Sequence, residues 1–322
     1  MKSIRALVLA AAAFNLVVPG FASAQPYPAR PVRMVVPFPP GGATDIIGRM
    51  VAAKMQEVWG QPVIVENKSG AGTVVPTDYV AKSAPDGYTI GFVITAHVIN
   101  PSLRSSMPYD TLRDLAGVTQ VSQQHLVIAA HPAFEANNIA ELIATAKKNP
   151  GKIAYATPGS GTAMHLSTEL LKTVAGIDLV HVPYKGGAPA IQDVIGGRVP
   201  LLLDVLYAAA PQIKAGRLKV LALLSPQRPA IVPEYPVVAE TVPGVSAVSI
   251  VGLVVPGATP RDLVRRISSD IAAAVRTTDL RDRMLRQGME PIGSTPEEFD
   301  ALIRAEIAKW APIVKASGAK AD

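Results

Sequence analysis

The sequence predicts an α/β protein in which two lobes face each other across a cleft. Short apolar runs alternate with amphipathic helical patterns over most of the 322 residues, an alternation typical of layered α/β folds. Two strand–turn–helix units carry Gly-rich turns, "VVPFPPGGATDII" from residue 35 and "IAYATPGSGTAMHL" from residue 153. Because the chain is long enough for two domains, we expect one such unit in each lobe.

The apolar runs predict nine strands, each four to eight residues long. Many are apolar on both faces, which is typical of strands buried in parallel sheets. In chain order they are Val32–Val36, Val63–Glu66, Thr89–Ile94, Leu126–Ala130, Ile153–Ala156, Leu179–Val182, Val199–Leu203, Leu218–Leu224 and Ser249–Val255.

Helices between these strands have recognisable ends. The first carries an apolar stripe from Ile46 to Val58 and ends at Gly60, since glycine readily adopts the left-handed conformation of a C-cap. A second glycine, Gly176, closes the helix after "TPGSGT". The predicted N-caps are Asn138 with Glu141 as a capping box, Thr162, and Thr259 and Thr295, each followed by proline. The last helix, roughly 296–315, could return and pack on the first lobe.

The first 24 residues predict export. Lys2 and Arg5 precede an apolar run and the small residues "ASA" at 22–24, the pattern of a cleaved signal peptide. The run is shorter than the ~20 residues that span a bilayer. We therefore expect cleavage near Ala24/Gln25 and a mature protein in the periplasm.

Composition excludes several function classes. There is no cysteine, hence no disulfide, thiolate nucleophile or cysteine metal site. The net charge is +6, or +4 without Lys2 and Arg5. The basic residues form no stripe and aromatics are only 5% of the chain, so nucleic-acid binding has little support.

Motifs for catalysis are weak. Ser160 in "PGSGT" lacks the glycine two residues before it that a nucleophile elbow needs, because position 158 is proline. No Walker lysine follows "PFPPGG", and the five histidines lack metal-site spacing. Asp204 could act as a base but has no evident partner. We predict no catalytic residue, metal or cofactor; a serine hydrolase acting through Ser160 is the alternative.

Binding accounts for more of the sequence. Helix N-termini present unpaired N–H groups and the positive end of the helix dipole, so each Gly-rich turn can hold a carboxylate. Gly41 and Gly42 would let the backbone approach a ligand, and Thr44 or Asp45 can cap the helix. Asp45 could equally contact the ligand. Two such turns on opposite lobes would hold both ends of a small dicarboxylate, or the carboxylate and a polar end of another small acid.

A series of motifs carries a family resemblance. "RPVRMVVPFPPGGATDIIGRM", "GQPVIVENKSGAG", "APDGYTI", "NPGKIAYATPGSGTAMHLSTELL", "HVPYKGGAPAIQDVIGGRVPLLLD" and "AGRLKVLAL" follow one another over essentially the entire mature chain. The series resembles the Bug family, the TctC-like substrate-binding receptors of tripartite tricarboxylate transporters.

The resemblance implies a type II-like periplasmic binding fold whose lobes close on ligand. Domain 1 would be roughly 25–122 plus 224–322, and domain 2 roughly 123–223. A monomer would deliver a dicarboxylate, aromatic acid or amino acid to an inner-membrane permease, or report its presence to a sensor kinase. The ligand-binding positions it implies are Phe38, Gly41, Gly42, Ala43, Asp45, Thr95, Gly159, Ser160, Gly161, Thr162, His165 and Asp204.

Departures from the family pattern prevent transfer of ligand specificity. After "SGAG" relatives often continue Gly-Asn-Ile-Gly, whereas this chain reads "TVVPTDY". Where relatives often show Thr-Asn-Gly, this chain has Thr95, Ala96 and His97.

Overall fold

The computed structural model describes residues 27–41, 43–286 and 288–319. The predicted signal peptide and Gly42 lie outside the described residues. The strands, in chain order, are β1 Val32–Val36, β2 Val63–Asn67, β3 Thr89–Ile94, β4 Leu115–Ala130, β5 Ala154–Thr157, β6 Val180–Pro183, β7 Leu201–Val205, β8 Lys219–Leu223, β9 Val248–Pro256 and β10 Met289–Pro291.

Helices flank the strands. They are α1 Ala43–Trp59, α2 Val74–Ala81, α3 Ala96–Leu103, α4 Ile139–Lys148, α5 Ala163–Ala175, α6 Gly187–Ile195, α7 Leu206–Lys214, α8 Arg261–Arg276, α9 Thr278–Arg286 and α10 Pro296–Ser317. Among the residues described, no helix is both long and apolar enough to cross a membrane.

The fold is α/β and two-lobed, and its two sheets share strand β4. The strand order is β2-β1-β3-β9-β4-β7-β5-β6, with β10 and β8 also paired to β4. Residues 115–125 of β4 pair with β9, whereas residues 126–130 pair with β7 and β8. One continuous strand therefore runs from the first sheet into the second.

The sequence predicted only the last five residues of β4. The missed part, "LAGVTQVSQQH", contains polar residues that are buried in the fold. Their partners are distant in the chain: Thr119 Oγ1 donates to the Ser294 carbonyl at 2.7 Å, and Gln120 N donates to Ser294 Oγ at 2.9 Å. Buried polar groups need such bonds, and local sequence does not reveal them. Strand β10, which pairs with the same part of β4, was missed as well.

The expectation of buried parallel strands is only partly right. Strand β1 is parallel to β2 and β3, and β5 is parallel to β6 and β7. Strand β9 is antiparallel to β3 and β4, and β4 is antiparallel to β7 and β8. Apolar runs report burial on both faces, whereas strand direction depends on how the chain connects the strands.

Apolar packing lies on both sides of the sheets. Strand β1 packs its alternate residues against α1 and α8, with Met34 and Ile47 fully buried. A larger cluster runs from α3 through α10 to α4 and α5. The C-terminal helix α10 contacts α3, β4 and α5, and its Trp310 is fully buried with Nε1 donating to Glu306.

Most predicted helix ends are confirmed. Thr162 and Thr295 are N-caps, the latter in a capping box with Glu298, and Gly176 is a left-handed C-cap. Asn138 caps α4 as predicted, but Glu141 returns its bond to Asn137 N.

The prediction for Thr259 is wrong by one residue. Pro260 takes the N-cap position of α8, so the helix begins at Arg261. Thr259 then lies outside the reach of the first free N–H groups, and its buried hydroxyl has no partner among the described residues.

Candidate functional site

A cleft of about 550 Å³ lies between the two lobes. Residues from the first sheet and its helices line one side: Phe38, Gly41, Thr44, Ile46, Ile94, Ser249, Val251 and Met289. Residues of the second lobe line the other side: Pro158, Met164, Gly187, Ala188, Asp204, Val205, Tyr207 and Ala208. Gln124, on the shared strand β4, also contributes.

Four helices begin at this cleft. Thr44 belongs to the first turn of α1, Met164 to that of α5, Ala188 to that of α6 and Tyr207 to that of α7. The N-terminal N–H groups of a helix lack intrahelical partners and carry the positive end of its dipole. Their convergence makes the cleft favourable for anionic groups.

Side-chain charge at the cleft is nearly absent. Of the lining residues that the structure describes, none is lysine, arginine or histidine, and Asp204 alone is acidic. An anion bound here would depend on helix N-termini and neutral hydrogen-bond donors.

Asp45 does not line the cleft; its side chain forms hydrogen bonds that hold the first Gly-rich loop in place. Its carboxylate accepts from Gly41 N at 2.8 Å, Arg49 Nε at 2.9 Å and Asn67 Nδ2 at 2.9 Å. The Arg49 bond chiefly, with the Gly41 and Asn67 bonds, lowers the pKa of Asp45 to about 2. Asp45 therefore stays ionised and holds the loop.

Gly41 and Phe38 do line the cleft, as predicted. Glycine is favoured at position 41 because its backbone φ is 90°, in the left-handed region. An added Cβ would meet no protein atom within 4 Å, so packing within the protein does not impose glycine there, and its part in the approach of a ligand stays a prediction. Its N–H is also engaged by Asp45. Gly42 lies outside the described residues, and Ala43 is the first residue of α1.

The second Gly-rich loop reaches the cleft through its flanks, Pro158 and Met164. Thr162 Oγ1 donates to the Gly159 carbonyl at 2.8 Å, which closes the turn. A Cβ on Gly161, which has φ of 69°, would lie 2.6 Å from Leu103 of α3. Gly161 thus permits close packing of the second lobe on the first. None of Gly159, Ser160, Gly161 or Thr162 is among the described lining residues.

His165 supports this loop from inside the second lobe. Its Nδ1 accepts from Gly161 N at 3.1 Å, and its ring stacks on His181 with centroids 3.9 Å apart. Burial lowers the pKa of both histidines, for His181 to about 3. His165 is therefore neutral, buried and not at the cleft.

Thr95 is also structural. It is buried, and its Oγ1 accepts from Ile250 N at 2.9 Å, which ties the end of β3 to β9. Its neighbour Ile94 lines the cleft in its place.

Asp204 occupies the predicted position at the end of β7. It is 3% exposed; Oδ1 accepts from Val205 N at 2.7 Å, and buried Oδ2 has no partner among the described residues. Burial raises its pKa to about 6, against the lowering effect of the Val205 bond.

Sequence reasoning missed several lining residues. Gln124 lies in the unpredicted part of β4, and Tyr207 follows strand β7, which ends at Val205. Gly187 and Ala188 belong to "YKGGAPAI", a third Gly-rich helix start. That motif had the same signature as the two loops that were considered, so it could have been found.

A serine hydrolase gains no support from the geometry. His165, the histidine nearest in sequence to Ser160, has Nδ1 engaged by Gly161 N and Nε2 at 3.9 Å from Glu169. Neither ring nitrogen is arranged as a base for the Ser160 hydroxyl.

His97 provides a test of stability against pH. Both its ring nitrogens are buried without partners among the described residues, and burial lowers its pKa to about 4. The unfolded chain therefore binds this proton first as the pH falls, and stability is lost below about pH 6.5. The His97→Leu variant lacks this proton-binding group, so it should not lose that stability. The difference in unfolding free energy between the variant and the wild type should therefore shift by roughly 2–3 kcal/mol in favour of the variant when the pH is lowered from 7.5 to 4.5. Urea unfolding at both pH values measures this, and a pH-independent difference would contradict it.

Comparison with known proteins agrees with the cleft and the two-lobed fold. Residues 47–319 match the family model described as "Tripartite tricarboxylate transporter family receptor". The chain belongs to this family. Members of this family are periplasmic binding proteins that act as receptors in tripartite tricarboxylate transport.

Individual relatives support the assignment of this chain to the family. Protein BugT of Bordetella pertussis is 37% identical over 301 residues, 92% of each chain. The structure of Rpa4515 from R. palustris with adipate is 33% identical with a TM-score of 0.80, covering 91% of this chain and 99% of that one. MatC from Rhodopseudomonas palustris, with bound malate, is 28% identical with a TM-score of 0.76, covering 89% and 100%. These proteins are binding receptors rather than enzymes.

Proposed function

We propose that this receptor captures a small dicarboxylate in the periplasm and delivers it to a permease of the tripartite tricarboxylate type. The observation that carries the proposal is the convergence of four helix N-termini on one cleft between the lobes. Helix N-termini favour anions, each by ~0.3–1 kcal/mol and up to ~2 kcal/mol when partly buried. Several together can hold a carboxylate without a basic side chain.

The size and lining of the cleft suit a small dicarboxylate. The volume of about 550 Å³ is within the range of small-molecule sites. Apolar residues such as Ile46, Ile94 and Met164 line it between the polar helix ends, which suits a short carbon chain carrying a charge at each end. The related structures with adipate and malate support the same ligand class.

The two lobes would close on the ligand. Residues 25–122 plus 224–322 would form one domain and residues 123–223 the other, with the signal peptide removed near Ala24/Gln25. The chain passes between the sheets within β4 and again after β8, so few connections resist a hinge motion. Closure would exclude water and strengthen the contacts to the ligand.

Calorimetric titration tests the proposal. The panel is succinate, malate, adipate, citrate, aspartate, glutamate, benzoate and nicotinate, each against the mature protein at pH 7. We expect saturable binding of at least one C4–C6 dicarboxylate. The same acid at a hundredfold excess over Kd should stabilise the fold by ~2.7 kcal/mol and raise Tm.

Thr44→Val is a matched variant for this titration. It keeps the shape of a side chain at the N-terminus of α1 but removes the hydroxyl of a residue that lines the cleft. We expect weaker binding with an unchanged fold. The proposal fails if no acid in the panel binds the wild-type protein.

A further inference from the structure

Asp204 carries a buried oxygen that has no hydrogen-bond partner in the part of the chain that the structure describes. Its Oδ1 accepts from Val205 N, but Oδ2 has no hydrogen bond among the described residues although the side chain is 97% buried and lines the cleft. Native proteins rarely leave such a group unpaired. The arrangement points to a partner that arrives with the ligand.

The adjoining helix makes room for this carboxyl group. A Cβ on Gly187, the first residue of α6, would collide with Asp204 Oδ2. Glycine at 187 therefore lets the carboxyl group lie directly against the start of the helix and face the cleft. The three atoms nearest to such a Cβ all belong to the carboxyl group of Asp204.

Among the described residues that line the cleft, no cation balances a charge on Asp204. Tyr207, on α7, is a titratable side chain that lines the same cleft. Burial, and to a smaller extent the charge of Asp204, raises the pKa of this phenol to about 12. Lys214 lies at the other end of α7. The titratable groups on the other elements packed against β7 are bonded elsewhere: His125 on β4 to Ser225, Tyr155 on β5 to Glu169, His165 and Lys172 on α5 to Gly161 and Glu169, and Asp193 on α6 to Tyr184 and Arg198.

We propose that Asp204 binds the ligand as a neutral carboxylic acid, with Oδ2–H donating a hydrogen bond to a carboxylate of the dicarboxylate. This inference rests on the proposed function. Capture of the dianion would take up one proton from solvent, which resides on Asp204 in the complex. No bond other than this O–H is formed or broken.

Burial and the charge of the ligand favour the neutral form of Asp204, and they act against the N-terminus of α6, which favours a negative charge. Burial raises the pKa of Asp204 to about 6. A ligand carboxylate within hydrogen-bond distance would raise it further, because two like charges in a buried site repel. An ionised Asp204 would instead need a donor on the ligand. Succinate and adipate have none at pH 7, and malate has only its hydroxyl, whose bond to an ionised Asp204 would take up no proton.

The test uses whichever of succinate, malate and adipate binds the wild-type protein most tightly. Its Kd is measured from pH 7 to pH 8.5, where these acids are dianions. If the proton must first bind a group of pKa about 6, affinity should fall about thirtyfold over that range. Titrations at pH 7.5 in buffers of different ionisation enthalpy should show uptake of nearly one proton.

Two variants distinguish this role from simple packing. Asp204→Asn supplies an N–H donor without a proton to gain, so its Kd should not vary over the range and its proton uptake should vanish. Ser249→Ala removes an uncharged group at the same cleft and should keep the thirtyfold pH dependence whatever its affinity. If Asp204→Asn does not fold, the wild-type proton uptake decides.

Several results would overturn the inference. Wild-type binding of the dicarboxylate without proton uptake would refute it while leaving the proposed function intact. Binding of aspartate or glutamate that strengthens above pH 6 and is lost in Asp204→Asn would mean that an ionised Asp204 contacts an ammonium group. Absence of binding by every acid would overturn both proposals.

Discussion

Replacing Gly187 with alanine should weaken dicarboxylate binding at least tenfold, about 1.4 kcal/mol. The added Cβ would occupy the position of Asp204 Oδ2. Either the carboxyl group is displaced or the start of α6 moves away from the cleft, and both changes disturb the lining. Calorimetry gives the affinity, and thermal unfolding shows whether the fold is retained.

Gly196→Ala is the matched control for that substitution. It lies at the other end of α6 with φ of −73°, where alanine fits, and its nearest Cβ neighbour is the Gln192 carbonyl at 3.3 Å. Its affinity should match that of the wild type. Equal affinity of Gly187→Ala and wild type would remove α6 from the binding site.

Replacing Asp45 with alanine should lower the unfolding free energy by roughly 2–4 kcal/mol at pH 7. The substitution removes three hydrogen bonds and leaves the amide of Gly41 without its acceptor, whereas Asn67 Nδ2 keeps its bond to the Phe38 carbonyl. The loss is smaller than for a fully buried ion pair because the Arg49 side chain is 53% exposed. The loop at Phe38 should become mobile, so ligand affinity should fall as well.

The pH dependence of this destabilisation has a definite sign. The folded pKa of Asp45 lies near 2, below its ordinary value of 3.8. Its ionised form therefore contributes stability above about pH 4, and that contribution is lost as the pH falls toward 2. Urea unfolding should show a smaller deficit for Asp45→Ala at pH 3 than at pH 7.

Asp262→Ala is the control for Asp45. It also removes an acidic residue from the first turn of a helix, but this side chain is fully exposed and only 3.4 Å from Arg265. Surface pairs of this kind contribute ~0–1 kcal/mol. A similar small effect for Asp45→Ala would mean that its hydrogen bonds do not hold the loop.

Predictions from the sequence were most accurate where local chemistry decides the structure. Thr162 and Thr295 act as N-caps because each side-chain oxygen accepts a hydrogen bond from the free N–H three residues later. This bond depends only on neighbouring residues. The apolar run Val32–Val36 forms β1 with the predicted bounds. Such signals need only neighbouring residues.

Site residues were harder to predict because the side chains at a Gly-rich helix start can face either the cleft or the protein interior. The sequence identified the loops, but not which groups face the cleft and which face the protein. Asp45, Thr95 and His165 are polar residues next in sequence to residues that line the cleft. Each of them nevertheless forms its hydrogen bond with the protein itself. Distant partners such as Asn67 and Ile250 decide this, and their proximity follows only from the sheet.

By itself, the sequence determined the α/β character of this protein, the positions of its Gly-rich helix starts and its family resemblance, since these follow from local pattern. Only the tertiary structure decided that β4 joins both sheets, that a third helix start at Gly187 borders the cleft, and that Asp204 lies there with a free oxygen. The reason is physical: burial and hydrogen-bond partners are set by residues far apart in the chain, and they change the chemistry of the same side chain.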